Sequence, residues 1–297
     1  MSLFIGLMSG TSLDGIDAAL VRCGPSDEAA HPELLEAVGM EMPESLRQQL
    51  LALCQARNVA FSDLAVAETA FCQLQAEAVS RLLDKSGTSP DVIAAIGSHG
   101  QTIEHMPYGQ PPYTCQLDNP SLLAELTGCP VVGDFRRRDL AAGGQAAPLA
   151  PAFHAALFTD ANEWRLVLNL GGFANLTLLP PSTSQAPVIG FDTGPANALL
   201  DGWYARHQAG RYDTDGVWAA GGRVDEALLA RLLDEAFFRL PPPKSTGREV
   251  FHQDWLNARL TGEETAQDVQ ATLAEMSAAS VAMGIEQAMS QQPIKGN

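Results

Sequence analysis

Apolar and polar positions along the chain fall into short blocks whose period changes from two to 3.6. Leu3–Ser9 is an apolar run, and Ile16–Cys23 alternates with Ile16, Ala18 and Leu20 on one face. The two predict a hairpin closed by the polar turn Gly10-Thr11-Ser12-Leu13-Asp14-Gly15. Glu44–Gln55 reads as a helix with Leu46, Leu50 and Leu53 on one stripe. A longer helix follows, with Ser62 as N-cap, Leu64, Phe71, Leu74, Ala78 and Leu82 at helical spacing, and Gly87 as its stop. Val92–Ile96 has the look of a buried strand and runs into Gly97-Ser98-His99-Gly100-Gln101-Thr102. Ser121–Thr127 is a short helix, and the strand starting at Pro130–Val132 delivers Asp134-Phe135-Arg136-Arg137-Arg138-Asp139.

The stretch Ala141–Pro151 is small, Gly-rich and broken by prolines, so a domain boundary is expected there, giving residues 1–150 and 151–297. The second half repeats the opening device: strand Trp164–Leu170, turn Gly171-Gly172-Phe173-Ala174-Asn175, strand Leu176–Leu179. Strand Val188–Phe191 then leads through Asp192-Thr193-Gly194-Pro195-Ala196-Asn197 into a helix over Ala198–His207. Further helices are predicted over Val224–Phe238 and Asp268–Met289, with Pro241–Gly247 a rigid connector between them. The halves share an opening architecture without a fixed repeat. Two such turns suit either ordinary hairpins or a pair of clamps on a polyphosphate.

Composition narrows the chemistry. With 35 Asp+Glu against 18 Lys+Arg, the 297-residue chain carries a net charge of −17, which argues against a basic nucleic-acid footprint. A phosphate site on such a surface needs backbone N–H groups and a bound cation. No apolar run approaches the ~20 residues of a membrane span, and no signal-peptide pattern opens the chain. The five cysteines are scattered without a CxxC, so neither a disulfide frame nor a zinc site is expected. A soluble, cytoplasmic protein follows as the expectation.

Several residue groups carry candidate chemistry. In the first turn, Gly10 and Gly15 permit close backbone approach, Thr11 and Ser12 supply hydroxyls, and Asp14 and Asp17 suit Mg²⁺; the same residues also make a plain hairpin turn. Asp192 at a strand end suits a general base or an Asx turn. His99 suits a base, a ligand hydrogen bond or a structural one. Arg136, Arg137 and Arg138 form a basic island between Asp134 and Asp139, suited to an anionic substrate or to surface ion pairs. A GxSxG elbow, a GxGxxG after a strand and a GxxxxGK[ST] loop are all absent, against a serine hydrolase, a Rossmann site and a Walker A site.

Taken in order, the motifs resemble those of the anhydro-N-acetylmuramic acid kinases. The resemblance rests on MSGTSLDGID (8–17), SHGQT (98–102), VVGDFRRRDLAAGGQAAPLAPAFH (131–154), LNLGGFANLT (168–177), GFDTGPANALLD (190–201), PPKSTGRE (242–249) and DVQATL (268–273). It implies the sugar kinase/Hsp70/actin fold, with two α/β domains around a nucleotide cleft, each on a mixed five-stranded sheet. It implies conversion of 1,6-anhydro-N-acetylmuramic acid, ATP and water to N-acetylmuramic acid 6-phosphate and ADP, in cell-wall recycling. A truncated, non-catalytic binder of sugar or nucleotide is the alternative. The substrate's O6 sits in an internal ether and has no proton to lose, so water must add at the anomeric carbon while O6 takes the γ-phosphoryl group.

Residue by residue, Asp192 matches the family's catalytic base. The segment Gly10, Thr11, Ser12, Leu13, Asp14, Gly15, Ile16 and Asp17 matches its ATP-binding segment, with Mg²⁺ near Asp14 or Asp17. Gly171, Gly172 and Asn175 fall in the second phosphate hairpin, and His99, Asp134 and Arg136 in motifs bordering the sugar. Arg136 is expected to pair with the lactyl carboxylate, and a homodimer is implied. Ala146 and Ala196 stand where family members commonly have Gly, and Leu117-Asp118 replaces the usual Ile-Gly. The resemblance also implies a further C-terminal segment with an adenosine-binding loop, which the polar stretch Gln291–Asn297 does not resemble.

Overall fold

The computed structural model describes residues 1–24, 32–56 and 58–291, so part of the Gln291–Asn297 stretch lies outside the described residues. The chain divides into two units, Met1–Ala146 and Ala147–Asn297.

The first unit is built on β1 (Ser2–Met8), β2 (Gly15–Cys23), β3 (Glu33–Glu41), β4 (Ile93–Ser98) and β7 (Val131–Val132), in the order β3-β2-β1-β4-β7. The β1–β2 and β2–β3 pairs are antiparallel and the β1–β4 and β4–β7 pairs parallel, so the sheet is mixed. A separate hairpin, β5 (Gln101–Met106) and β6 (Tyr113–Leu117), leaves β4 directly. Helices α1 (Glu44–Gln55), α2 (Phe61–Ser86), α3 (Pro120–Thr127) and α4 (Phe135–Ala141) complete the unit.

Ile16, Ala18 and Leu20 of β2 bury one face, as their alternation predicts, with Ile5 and Leu7 of β1. Against them lies the stripe Phe71, Leu74, Ala78 and Leu82 of α2, which packs on β2 and β3. Gly87 ends α2 in the left-handed conformation, but Ser62 lies inside the helix, which starts one residue earlier without a side-chain cap. The cap of α3 is Asn119, whose Oδ1 accepts the Leu122 N–H.

The second unit opens with α5 (Pro151–Phe158), followed by β8 (Arg165–Leu170), β9 (Phe173–Leu179) and β10 (Ile189–Pro195) in the order β10-β9-β8. Among the described residues this sheet has three strands, all antiparallel, where the resemblance implies a mixed sheet of five. The reason is local: from Ala196 to Gln291 the described chain forms only helices and turns, which add no strand. Helices α6 (Asn197–His207), α7 (Val217–Ala220), α8 (Glu226–Leu233), α9 (Ala236–Arg239), α10 (Gln253–Asn257) and α11 (Ala266–Ser290) follow. The single helix expected over Val224–Phe238 is two, because Glu235 is extended (φ −60°, ψ 135°) and its carboxylate caps the Ala236 N–H. The turn after β8 is only Gly171-Gly172, since Phe173, Ala174 and Asn175 already pair in the sheet. Asp192 likewise lies within β10 rather than after it.

Ala146 has φ +61° and is fully buried. A left-handed backbone costs an L-residue roughly 1–2 kcal/mol. Burial of one methyl returns only about 0.8 kcal/mol. Ala146→Gly is therefore expected to raise the midpoint of thermal unfolding, and a lowered midpoint would show that the methyl's packing prevails. Ala196, the other alanine at a family glycine position, has φ −126° and carries no such strain.

Candidate active site

The first turn is shaped by close contacts. A Cβ on Gly15 would run into the Met40 carbonyl oxygen, so only glycine fits where β2 leaves the turn beside β3. Leu13 turns left-handed (φ +59°) with its side chain buried, and its N–H donates to the Gly10 carbonyl at 3.3 Å. Ser12 Oγ donates to Asp14 Oδ1 at 2.8 Å, holding that carboxylate at the exposed turn. Asp17, also exposed, pairs with Gly39 of β3, and Oδ1 would be 3.3 Å from a Cβ there. The turn is tied to SHGQT: Ser9 Oγ donates to Gln101 Oε1 at 2.6 Å, and Gln101 Nε2 donates to the Gly10 carbonyl at 3.3 Å.

His99 and Arg136 form one assembly. Arg136 Nε donates to His99 Nε2 at 2.7 Å, so Nε2 carries no proton. Nδ1 lies 2.7 Å from the Gly100 carbonyl and is therefore the protonated nitrogen. Burial first, and the Arg136 charge second, lower the imidazole pKa to about 4. His99 is thus neutral near pH 7 and acts by orienting Arg136, which also donates from Nη1 to the Ala146 carbonyl. The strained Ala146 turn is held from its other side by Asp139 Oδ2, which accepts the Ala146 N–H at 2.7 Å. Asp134 stands apart from this pair: it opens α4 with φ +60°, and its exposed carboxylate accepts Arg137 Nε at 2.7 Å.

Asp118, at one of the family departures, lies close behind. Gln75 Nε2 donates to Ser98 Oγ at 2.9 Å, which donates to Asp118 Oδ1 at 2.7 Å, while Oδ2 is buried without a hydrogen-bond partner. Burial pushes the Asp118 carboxyl pKa up. A raised folded-state pKa stabilises the fold below the ordinary carboxylate range and forfeits that stability as the pH rises. Asp118→Asn is expected to raise the unfolding midpoint at pH 7 by a few degrees, with the gap closing toward pH 4. A gap that does not depend on pH would show that the charge is not the cause.

In the second unit, the Gly171-Gly172 turn caps a helix. The Ala196 and Ala198 N–H groups donate to the Gly172 carbonyl, and Asn197 N–H to that of Gly171, each at 3.0 Å. Because the peptide is planar and trans, the Gly172 N–H then points away from α6. Across the sheet, Asn169, Asn175 and Asp192 are register partners and form one polar row.

Asp192 is 6% exposed. Its N–H donates to the Lys244 carbonyl at 2.8 Å, and its Oδ2 accepts Ser245 Oγ at 2.9 Å and the Thr246 N–H at 3.0 Å. Sequence reading did not single out Ser245 and Thr246 as partners of Asp192. Their only signal was the PPKSTGRE motif, more than fifty positions downstream. The same connector carries Glu249, whose carboxyl pKa is raised by its surroundings and by Asp192's charge. Lys244, held down to a pKa of about 8 by burial, turns away, with Nζ near the Phe237 and Phe238 carbonyls and Gln287 Oε1.

A glycine-shaped turn in the first unit, the Gly171-Gly172 turn of the second and a buried, oriented carboxylate suit an α/β enzyme of phosphoryl transfer. The family model described as Anhydro-N-acetylmuramic acid kinase matches residues 2–294. The anhydro-N-acetylmuramic acid kinase of Chromohalobacter salexigens is 68% identical over 287 residues, covering 97% of this chain and 76% of its own length. That of Xylella fastidiosa is 52% identical over 293 residues, covering 98% and 75%. The chain therefore belongs to the anhydro-N-acetylmuramic acid kinase family, and it spans about three quarters of the length of these relatives. Among solved structures, (R)-2-hydroxyglutaryl-CoA dehydratase component A of Acidaminococcus fermentans is a loose likeness, with TM-score 0.40 and 10% identity over 99% of this chain and 81% of that one.

Proposed function

We propose that this chain phosphorylates 1,6-anhydro-N-acetylmuramic acid with ATP while water opens the anhydro bond, giving N-acetylmuramic acid 6-phosphate and ADP. The observation that carries the reading is Asp192: a buried carboxylate oriented by Ser245 Oγ and the Thr246 N–H, in a chain matched over residues 2–294 by the family model. Asp192 takes a proton from water as that water attacks the anomeric carbon. Phosphoryl transfer to O6 then depends mainly on positioning and charge neutralisation.

We assign the ATP phosphates to the segment Gly10–Asp17 of the first unit and to Gly171, Gly172 and Asn175 of the second. Among the described residues no three His, Cys, Asp or Glu side chains are grouped to hold an ion. Two exposed carboxylates, Asp14 and Asp17, fit Mg²⁺, which commonly takes one or two protein carboxylates and completes its shell with phosphate oxygens and water. When bound, Mg²⁺ neutralises charge on the phosphates. Arg136, oriented by His99, pairs with the lactyl carboxylate of the sugar. The site reading also brings a homodimer and a cytoplasmic location. Among the described residues no helix is long and apolar enough to cross a membrane.

ADP release from ATP·Mg²⁺, measured with and without 1,6-anhydro-N-acetylmuramic acid, tests the reading. Sugar-dependent release supports it; release indifferent to the sugar overturns it.

A further inference from the structure

The turns that carry His99 and Arg136 leave the first sheet side by side. The backbone pairing of β4 with β7 runs over Ile96–Val131 and Gly97–Val132. Beyond it, His99-Gly100 turns into β5, and Gly133-Asp134 leads into α4. The first of these turns is fixed by β1, because the His99 N–H donates to the Leu7 carbonyl at 3.3 Å. Asp118, the residue after β6, fills the space between the two turns. A Cβ on Gly100 would lie 2.8 Å from the Asp118 Cβ, and a Cβ on Gly133 would lie 2.8 Å from Asp118 Oδ2. Asp118 Oδ1 accepts Ser98 Oγ at 2.7 Å, and Ser98 Oγ accepts Gln75 Nε2 of α2 at 2.9 Å. One side chain thus touches the residues on both sides of His99 and the glycine that leads to Arg136.

We propose that Asp118 is a positioning residue: it seats the Arg136 turn against the His99 turn and so fixes where the Arg136 guanidinium points. Glycines at 100 and 133 let the backbones approach, and the Asp118 side chain stands where their missing side chains would be. Its Oδ2 is buried without a hydrogen-bond partner, which costs free energy. Such a cost in a folded chain calls for a use, and the wedge supplies one.

The wedge reaches the guanidinium through α4. Asp134, next to Gly133, opens that helix, and Arg136 stands in its first turn. From there Nε donates to His99 Nε2 at 2.7 Å, so a small shift between the turns is felt directly in that bond. Phe135 gives α4 a second hold, since its ring lies 3.6 Å from where a Gly97 Cβ would be. Loss of the wedge therefore loosens the Arg136–His99 pair without parting the turns. The consequence for the sugar rests on Arg136 being its contact, as proposed above.

The test uses the purified chain with Asp118→Ala and Asp118→Asn. Alanine removes both oxygens of the wedge, whereas asparagine keeps its shape and the acceptor for Ser98 Oγ. With alanine, the sugar KM is expected to rise about 10-fold while kcat and the ATP KM stay within about twofold of the parent. The His99 pKa, read by NMR, is expected to rise as well. Loss of a carboxylate by itself would lower an imidazole pKa, so a rise reports a loosened Arg136. Asparagine is expected to leave all of these near the parental values. A parental His99 titration in the alanine variant, equal rises in its sugar and ATP KM, or an asparagine variant that behaves like the alanine one each overturns the proposal. Thermal unfolding checks that the variants fold. Should the alanine variant not fold, Gly133→Ala, whose Cβ presses on Oδ2, takes its place with the same expected result. Arg136→Ala, assayed in parallel, keeps the two readings apart. A parental sugar KM there overturns the lactyl pairing alone, and the His99 titration then decides the role of Asp118.

Discussion

Asp192→Asn is expected to lower sugar-dependent ADP release by about 10³-fold with little change in thermal stability. The amide keeps an oxygen for Ser245 Oγ and the Thr246 N–H, the two groups that orient the side chain, so the local structure survives. What is lost is the lone pair basic enough to take a proton from water. Without it, the substrate's O6 stays bound in its ether and cannot receive the phosphoryl group. Stopped assays of ADP, with thermal unfolding as the control, decide the matter. A folded variant with parental turnover would remove Asp192 from the chemistry.

Arg136→Ala is the second large effect. A charge-assisted hydrogen bond is worth about 1.5–3 kcal/mol, so loss of the lactyl contact is expected to raise the sugar KM by roughly 10- to 140-fold. The Arg136–His99 bond adds an independent readout. The imidazole pKa of about 4 owes its depression first to burial and second to the Arg136 charge. Removing the guanidinium takes away the second cause and leaves the first. The His99 pKa should therefore rise while staying below 6.5, visible by NMR titration of the ring. An unchanged sugar KM would sink the lactyl pairing, and an unchanged His99 titration would mean that burial alone holds the ring neutral.

The elements read best from sequence are those whose burial is written in a local period. Helix α1 occupies the expected Glu44–Gln55, and the alternation of Ile16, Ala18 and Leu20 gives the buried face of β2. The elements missed are those that depend on distant partners. Strand β3 alternates poorly, with Leu34 exposed, and exists because β2 offers it an edge. The β5–β6 hairpin interrupts a crossover and carries a polar face of Thr102, Thr114 and Gln116.

By itself the sequence determined the α/β class, the glycine-shaped turns and the family, because each is encoded in residues close together or in motifs whose order is linear. Only the tertiary structure decided what those residues do to one another. His99, a candidate base in the sequence, became a neutral acceptor for Arg136, thirty-seven positions away. Asp192, expected after a strand, lies within one and is bound by a connector fifty-three positions downstream. Ala146 gained its meaning from a backbone angle, and Asp118 from an unpartnered oxygen. Tautomer, proton affinity and strain depend on which distant groups are brought within hydrogen-bond range and how much water they exclude, and linear spacing does not contain that information.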